Sequence, residues 1–271
     1  MGYGWPTPPV EAVTTGSRNF HFVNPSPDGR LLVLGTGFLQ EEDLYISDAD
    51  GSNLQQLTTD RFNDRHPVWS ADGRDIAFYS DRSGKYEVWV TTPAGQLRQI
   101  TDAPGLLPHF PRWSPDGSRM TVTDIRNRSA VVVFDPRAPW RGQTPDVLPP
   151  PAGPDSYLVG NSLAWSPDST RLAGTVDGVV TIYDIASRQY RPVDEVRGVV
   201  YAWLRDGRLL VGPATAPRLV DPDTGAIRPV AMPSFGDEAP GALKLSDDER
   251  LVYFALGRSD ADVWLVTLVQ K

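Results

Sequence analysis

The chain has 271 residues, with 34 acidic against 26 basic side chains and a net charge of −8. That balance argues against nucleic acid or an anionic membrane surface as the main partner, since both require a basic footprint. There is no cysteine, which excludes disulfides, thiolate metal sites and thiol nucleophiles. No stretch approaches the ~20 apolar residues of a membrane-spanning helix, so membrane insertion is not expected.

Residues 1–9 form a Gly/Pro-rich tail carrying Tyr3 and Trp5. It has neither a basic n-region nor an apolar core, so it does not read as a secretory signal. The chain as given is therefore expected in the cytoplasm. If it belongs to an exported precursor, the expected place is periplasmic or otherwise extracytoplasmic.

From residue 25 onward one pattern recurs. Trp113-Ser114-Pro115-Asp116-Gly117 is its fullest form. Pro presets φ, Asp accepts backbone hydrogen bonds and Gly takes φ > 0 at little cost, so each copy predicts strand, tight turn, strand. The related copies begin at Pro25, Trp69, Trp165, Trp203 and Leu245, the last two decayed, and their final positions are 44, 44, 52, 38 and 42 residues apart. A period of roughly 40–45 residues with four short strands per unit is the signature of a propeller blade. The chain accordingly predicts an all-β, six-bladed propeller forming a single domain over residues 10–271, and its Gly and Pro content suits many turns and few helices.

Taken in order, VEAVTTG (10–16) duplicates LQQLTTD (54–60), the outer strand of the first full repeat. At the other end DVWLVTLV (262–269) has the pattern of a third strand. The sixth blade therefore lacks a fourth strand, which the N-terminus supplies, closing the ring and hiding two sheet edges. Blade one is expected over 20–24, 30–36, 43–47 and 54–58, and blade two over 66–69, 75–80, 86–91 and 97–101. Blade three takes 110–113, 119–124 and 130–134, with a fourth strand near 146–148 beyond a Pro-rich insertion at 136–154. Blade four takes 162–165, 171–175, 179–183 and 189–193; blade five 199–203, 208–211, 218–220 and 226–230; blade six begins at 242–245 and 251–255. The innermost strands read as apolar at nearly every position, as for strands covered on both faces.

Trp69, Trp113, Trp165 and Trp203 share one repeat position, and Trp89 and Trp264 another with Tyr45 and Tyr183 as counterparts, so their expected role is to fill space between blades. Trp5 and Trp140 stand outside the repeat, as docking aromatics or simply on the propeller surface. Residues 48–53 resemble a calcium loop but lack its distal Glu, so a hairpin turn is expected there.

Loops joining second to third strands, and loops entering the next blade, share the face around the channel mouth. His21, His66 and His109 fall there, with Asn161 matching His21 in blade four. Three imidazoles converging on a channel could bind a divalent transition metal or an acidic ligand. Arg82, Lys85, Arg126 and Arg128 concentrate positive charge beside them, suited to carboxylate or phosphate recognition; Glu41, Glu42 and Asp43 give the rim an acidic counterpart. These loop charges equally suit a solvated surface of local ion pairs. No Gly-x-Ser-x-Gly elbow, nucleotide loop or His-Glu-x-x-His is present, and no catalytic residue is nominated.

Phe110-Pro111-Arg112-Trp113-Ser114-Pro115-Asp116-Gly117 and Ile76-Ala77-Phe78-Tyr79-Ser80-Asp81-Arg82-Ser83-Gly84 resemble the TolB-type bacterial β-propeller repeat. Blades one and two match it nearly throughout, blade three in its first half, and blades four to six mainly in their turns and strands. The resemblance implies a six-bladed ring closed by its N-terminal strand. It also implies a role among protein-binding platforms of the bacterial cell envelope, propellers fused to kinases or regulators, or gating propellers of prolyl-peptidase-like enzymes.

Two functions stand open at this point. The first is a non-catalytic, monomeric module, without cofactor, binding a protein segment or small anionic ligand through its channel-mouth face. The alternative is a metal-assisted polysaccharide lyase or hydrolase using His21, His66 and His109; related propeller sugar lyases bind metal through histidine, though the spacing here does not reproduce their pattern. A scaffold domain of a larger receptor is a third possibility.

Overall fold

The Ser-Pro-Asp-Gly turn is built in the same way each time it occurs. In the first copy the Ser26 hydroxyl donates to Asp28 Oδ1 at 2.7 Å and accepts the Leu31 N–H at 2.9 Å, while Asp28 Oδ1 also accepts the Arg30 N–H at 3.1 Å. The Ser–Asp bond recurs at Ser70–Asp72, Ser114–Asp116, Ser166–Asp168 and Ser246–Asp248. Gly117 takes φ +66°, as the turn requires, and Ser169 and Glu249 accept φ +60° and +58° at the same place in their copies. Serine is thus as much a part of the turn as Pro, Asp and Gly.

The structure, a computed structural model, describes residues 10–14, 19–36, 42–127, 130–151, 158, 162–235, 240–256 and 262–267. Its strands form six antiparallel four-stranded sheets. Five are consecutive meanders, and the sixth joins Lys244–Leu245, Leu251–Leu256, Asp262–Thr267 and, from the other end of the chain, Val10–Ala12. Val10, Glu11 and Ala12 pair with Val266, Leu265 and Trp264.

The closing segment repeats the bonding of its internal duplicates. The N–H groups of Val13 and Thr14 donate to Val263 O, and the Val263 N–H donates to Thr14 Oγ1 at 2.9 Å. In blade one Leu57 and Thr58 donate to Leu44 O, and Leu44 donates to Thr58 Oγ1 at 3.0 Å. Blade two does the same with Ile100, Thr101 and Val88. The threonine of each outer strand clamps the strand inside it.

The fourth strand of blade three lies at Asp146–Val147, past a single 3-10 turn at Trp140–Gly142. Trp140 packs edge-on against Phe134 at 5.1 Å, which makes it a buttress of the insertion. Trp69, Trp165 and Trp203 are buried between blades; the Trp69 indole N–H donates to Asn24 O of the preceding blade at 3.1 Å, and Arg171 of blade four lies over the Trp203 ring. Residues 48–53 form a hairpin turn in which Asn53 Nδ2 donates to Asp48 Oδ2. The tail with Tyr3 and Trp5 lies outside the described residues.

The innermost strands depart from the uniformly apolar expectation. Their register shifts at a β-bulge between Phe20 and Phe22, Arg65 and Val68, His109 and Arg112, and Val200 and Ala202. His66 and Phe110, equivalent in the repeat, carry the kink with φ +52° and +54°. A bulge re-aims side chains, and these turn polar residues toward the axis.

Candidate channel and mouth

The first strands of all six blades surround an axial cavity of about 330 Å3. The residue three before each turn-flanking position is Phe22, His66 or Phe110 in the first three blades. These stack side by side on the wall, Phe22 to His66 at 3.9 Å between ring centres and His66 to Phe110 at 4.6 Å. One residue earlier in the repeat stand His21, Arg65 and His109. The His109 ring lies 4.3 Å from Tyr79 and 5.0 Å from Tyr86, and its Nδ1 is 3.0 Å from Leu107 O. Arg65 lies over Tyr86 at 5.2 Å and pairs with buried Glu42.

The three histidines therefore occupy two different repeat positions, and a continuous patch of rings, not a ligand set, surrounds two of them. Among the described residues no group of three His, Asp or Glu side chains could hold a metal ion. Burial lowers the pKa of all three imidazoles, most strongly for His66, where Arg112 and Lys244 add to the effect. They are neutral at pH 7.

The loop cations have internal partners. Arg82 Nη2 donates to Asp64 Oδ1 and Oδ2 at 2.8 and 2.7 Å, Nη1 lies 3.2 Å from Asp60, and Nε donates to Ser80 Oγ. Its guanidinium also lies over the rings of Trp89 and Phe78. Burial raises the Asp64 carboxyl, with hydrogen bonds from Ser80 and Arg82 pulling the other way. Lys85 pairs with buried Glu87 and donates to Ala103 O at 2.9 Å. Among the described loop cations, Arg126 is the exposed one. Arg128, Asn161 and Glu41 lie outside the described residues.

Sequence reasoning missed the channel's own charges. Arg112 and Lys244 both line it, together with His21, His66, Leu163 and Tyr201 among others. Both sit one residue before the turn-flanking position, where the other blades have Asn24, Val68, Ala164 and Ala202. Aligning that column across the six copies would have exposed the pair. Burial lowers the Arg112 pKa to about 10, and burial with the Arg112 charge brings Lys244 down from 10.5 to about 7.

A depressed lysine pKa costs stability fully below the folded value and progressively less as pH climbs to the unfolded value. Replacing Lys244 by Met is thus expected to stabilise the protein by ~2 kcal/mol at pH 7, the equivalent of the shift discounted by about half for channel water. The melting temperature should rise by about 3 °C at pH 7 and by less than about 1 °C at pH 10.5. Paired thermal melts at the two pH values measure this; a gain independent of pH would remove the lysine from the channel.

Fold and channel together define a six-bladed β-propeller with a cationic axial cavity and an aromatic mouth. Residues 11–139, just under half of the chain, match the family model described as the TolB β-propeller domain. The Tol-Pal system protein TolB of Methylococcus capsulatus is 38% identical over 75 residues, covering 27% of this chain and 18% of that protein. The uncharacterized peptidase YuxL of Bacillus subtilis is 34% identical over 106 residues, 36% of this chain and 16% of that one. The chain thus matches less than a fifth of the length of either relative. Among solved structures, TolB from Acinetobacter baumannii superposes with a TM-score of 0.59 at 18% identity, over 94% of this chain and 65% of that one. A gluconolactonase from Xanthomonas campestris reaches 0.67 at 15% identity, over 96% and 89%. At such identities the likeness is one of fold.

Proposed function

We propose that the protein is a non-catalytic binding module that engages a protein segment through its channel-mouth face, in the extracytoplasmic setting the TolB-type repeat implies. The observation that carries this reading is the contiguous ring cluster at the mouth, in which the half-buried rings of Phe22, His66, Phe110 and Tyr86 pack on one another and on buried Tyr79 and His109. Aromatic side chains with polar tips give a partner large contact area at low entropic cost, and such residues dominate the energetics of interfaces. The mouth rests on a rigid base, because the Arg82–Asp64 and Lys85–Glu87 pairs tie the loops beneath it. The matching relatives include Tol-Pal system proteins TolB, which supports a place within a multi-protein system.

The test is site-specific photo-crosslinking in the cells of origin. A crosslinker replacing Tyr86, at the mouth, is expected to capture a discrete protein. The same group replacing Leu97, on the exposed outer edge of blade two, is expected to capture none. Crosslinks from Leu97 and not from Tyr86 would overturn the reading. So would stoichiometric binding of Mn, Zn or Ni that is lost when His21, His66 and His109 are all replaced by Ala.

A further inference from the structure

Acidic as the chain is, the axial cavity is lined, among the described residues, by Arg112 and Lys244 and by not one Asp or Glu. The two cations approach from opposite parts of the ring, blade three and blade six, at the same position of the repeat. Among the described residues the Lys244 ammonium makes no hydrogen bond or ion pair, while Arg112 Nη1 donates to Pro111 O at 3.1 Å. Two like charges in one partly desolvated cavity repel, and an opposite charge between them would relieve the cost. Apart from His21, His66 and Tyr201 the rest of the described wall is apolar, with Phe22, Val23, Val68, Leu163, Val200 and Leu243 in it.

We propose that the axial channel is a binding site for an apolar carboxylate, whose carboxylate group is received between Arg112 and Lys244 and whose body lies on the aliphatic and aromatic wall. A planar guanidinium matches the two oxygens of a carboxylate, and an ammonium adds a point charge. The apolar wall selects a carboxylate on a hydrocarbon or aromatic stem over a phosphate, which would leave that wall wet. A cavity of this size lies at the lower end of the range for small-molecule sites. The proposal stands apart from the protein-binding reading, since a small molecule can occupy the channel whether or not a partner covers its mouth.

Among the described residues, the titratable groups facing Lys244 are His21 on the neighbouring strand of blade one, His66 and Arg112 across the channel, Tyr201 of blade five, and Tyr253 beside it in its own sheet. Burial holds the imidazoles neutral at pH 7 and raises both phenols. The Lys244 amine is therefore the group that changes charge near neutrality. Carboxylate binding should draw a proton onto it and weaken as pH rises.

Isothermal titration with phenylacetate, its uncharged analogue phenylacetamide and inorganic phosphate tests the site on the full chain. Phenylacetate is expected to bind with a stoichiometry of one, about tenfold or more tighter at pH 6 than at pH 9. In the Lys244→Met variant, checked for folding by circular dichroism, binding at pH 6 should fall by about the same factor and lose its pH dependence. The tripeptide Gly-Gly-Phe, titrated in competition, distinguishes a chain terminus from a free acid by which of the two binds tighter. Phenylacetamide or phosphate binding as tightly as phenylacetate would overturn the assignment, as would unchanged affinity in Lys244→Met or the absence of any phenylacetate binding.

Discussion

Replacing Asp64 by alanine is expected to lower stability by ~3–5 kcal/mol, or a melting temperature about 5–9 °C lower for a chain of this size. The Asp64 side chain is fully buried and that of Arg82 is 7% exposed. Alanine would leave the guanidinium enclosed by the Phe78 and Trp89 rings with Asp60, its side chain 37% exposed, as its remaining carboxylate among the described residues. The loss measures an abandoned charge and not the net worth of the pair, because the same burial that strengthens the contact also desolvates both ions. The double replacement Asp64→Leu with Arg82→Met should therefore recover most of it. Urea denaturation of the two single variants and the double variant decides the matter: a loss under ~1 kcal/mol for Asp64→Ala would show that Arg82 escapes to solvent and is available to a ligand.

The pair also shows which parts of the chain were legible beforehand. The blades were, because each depends on local chemistry repeated six times: a turn whose φ and hydrogen bonds are set within five residues, followed by β-branched runs. Ring closure was readable for the same reason, since VEAVTTG carries the threonine and the apolar positions of LQQLTTD, and Thr14 bonds Val263 as Thr58 bonds Leu44. The candidate site was harder to see. Asp81-Arg82-Ser83-Gly84-Lys85 has the composition of a solvated loop, yet Arg82 and Lys85 both turn inward to acids 18 and two residues away, at Asp64 and Glu87. Nothing in the loop itself encodes that partnership. His21, His66 and His109 were grouped by loop and face, whereas the bulge in the first strand separates neighbouring residues onto different surfaces, His66 to the channel wall and His109 toward Tyr86. A bulge adds one residue to the count and inverts which side chains point inward, so period-2 reasoning fails beyond it. Arg112 and Lys244 escaped for a related reason: strands called apolar as a whole were not divided into the column facing the axis and the column facing the next blade.

A single methyl group placed on Gly51 is expected to do nearly as much damage as removing the buried carboxylate. Gly51 turns the hairpin between the third and fourth strands of blade one at φ +82°. A Cβ built there would lie 1.7 Å from Val13 O and 2.7 Å from Val13 C, so the obstacle is backbone and no rotamer change can relieve it. Val13 belongs to the segment that closes the ring, donating to Val263 O at 2.8 Å. Either the hairpin or the closing segment must move, and moving the latter strains the bonds that Val13, Thr14 and Val263 share. Counting ~1 kcal/mol for an L-residue forced into the left-handed region and ~1 kcal/mol for each of two or three weakened hydrogen bonds, Gly51→Ala should cost about 3–4 kcal/mol. Gly95 supplies the control. It turns the equivalent hairpin of blade two at φ +81°, with nothing within 4 Å of its Cβ position, so Gly95→Ala should lose only the backbone part, about 1 kcal/mol. Hydrogen exchange at the Val263 amide, which the Thr14 hydroxyl oxygen protects, should accelerate in Gly51→Ala and stay unchanged in Gly95→Ala. Equal losses in the two variants, with Val263 protected in both, would mean that blade one does not press the closing strand into place, and that the ring is held by the pairing of Val10–Ala12 with Asp262–Thr267 alone.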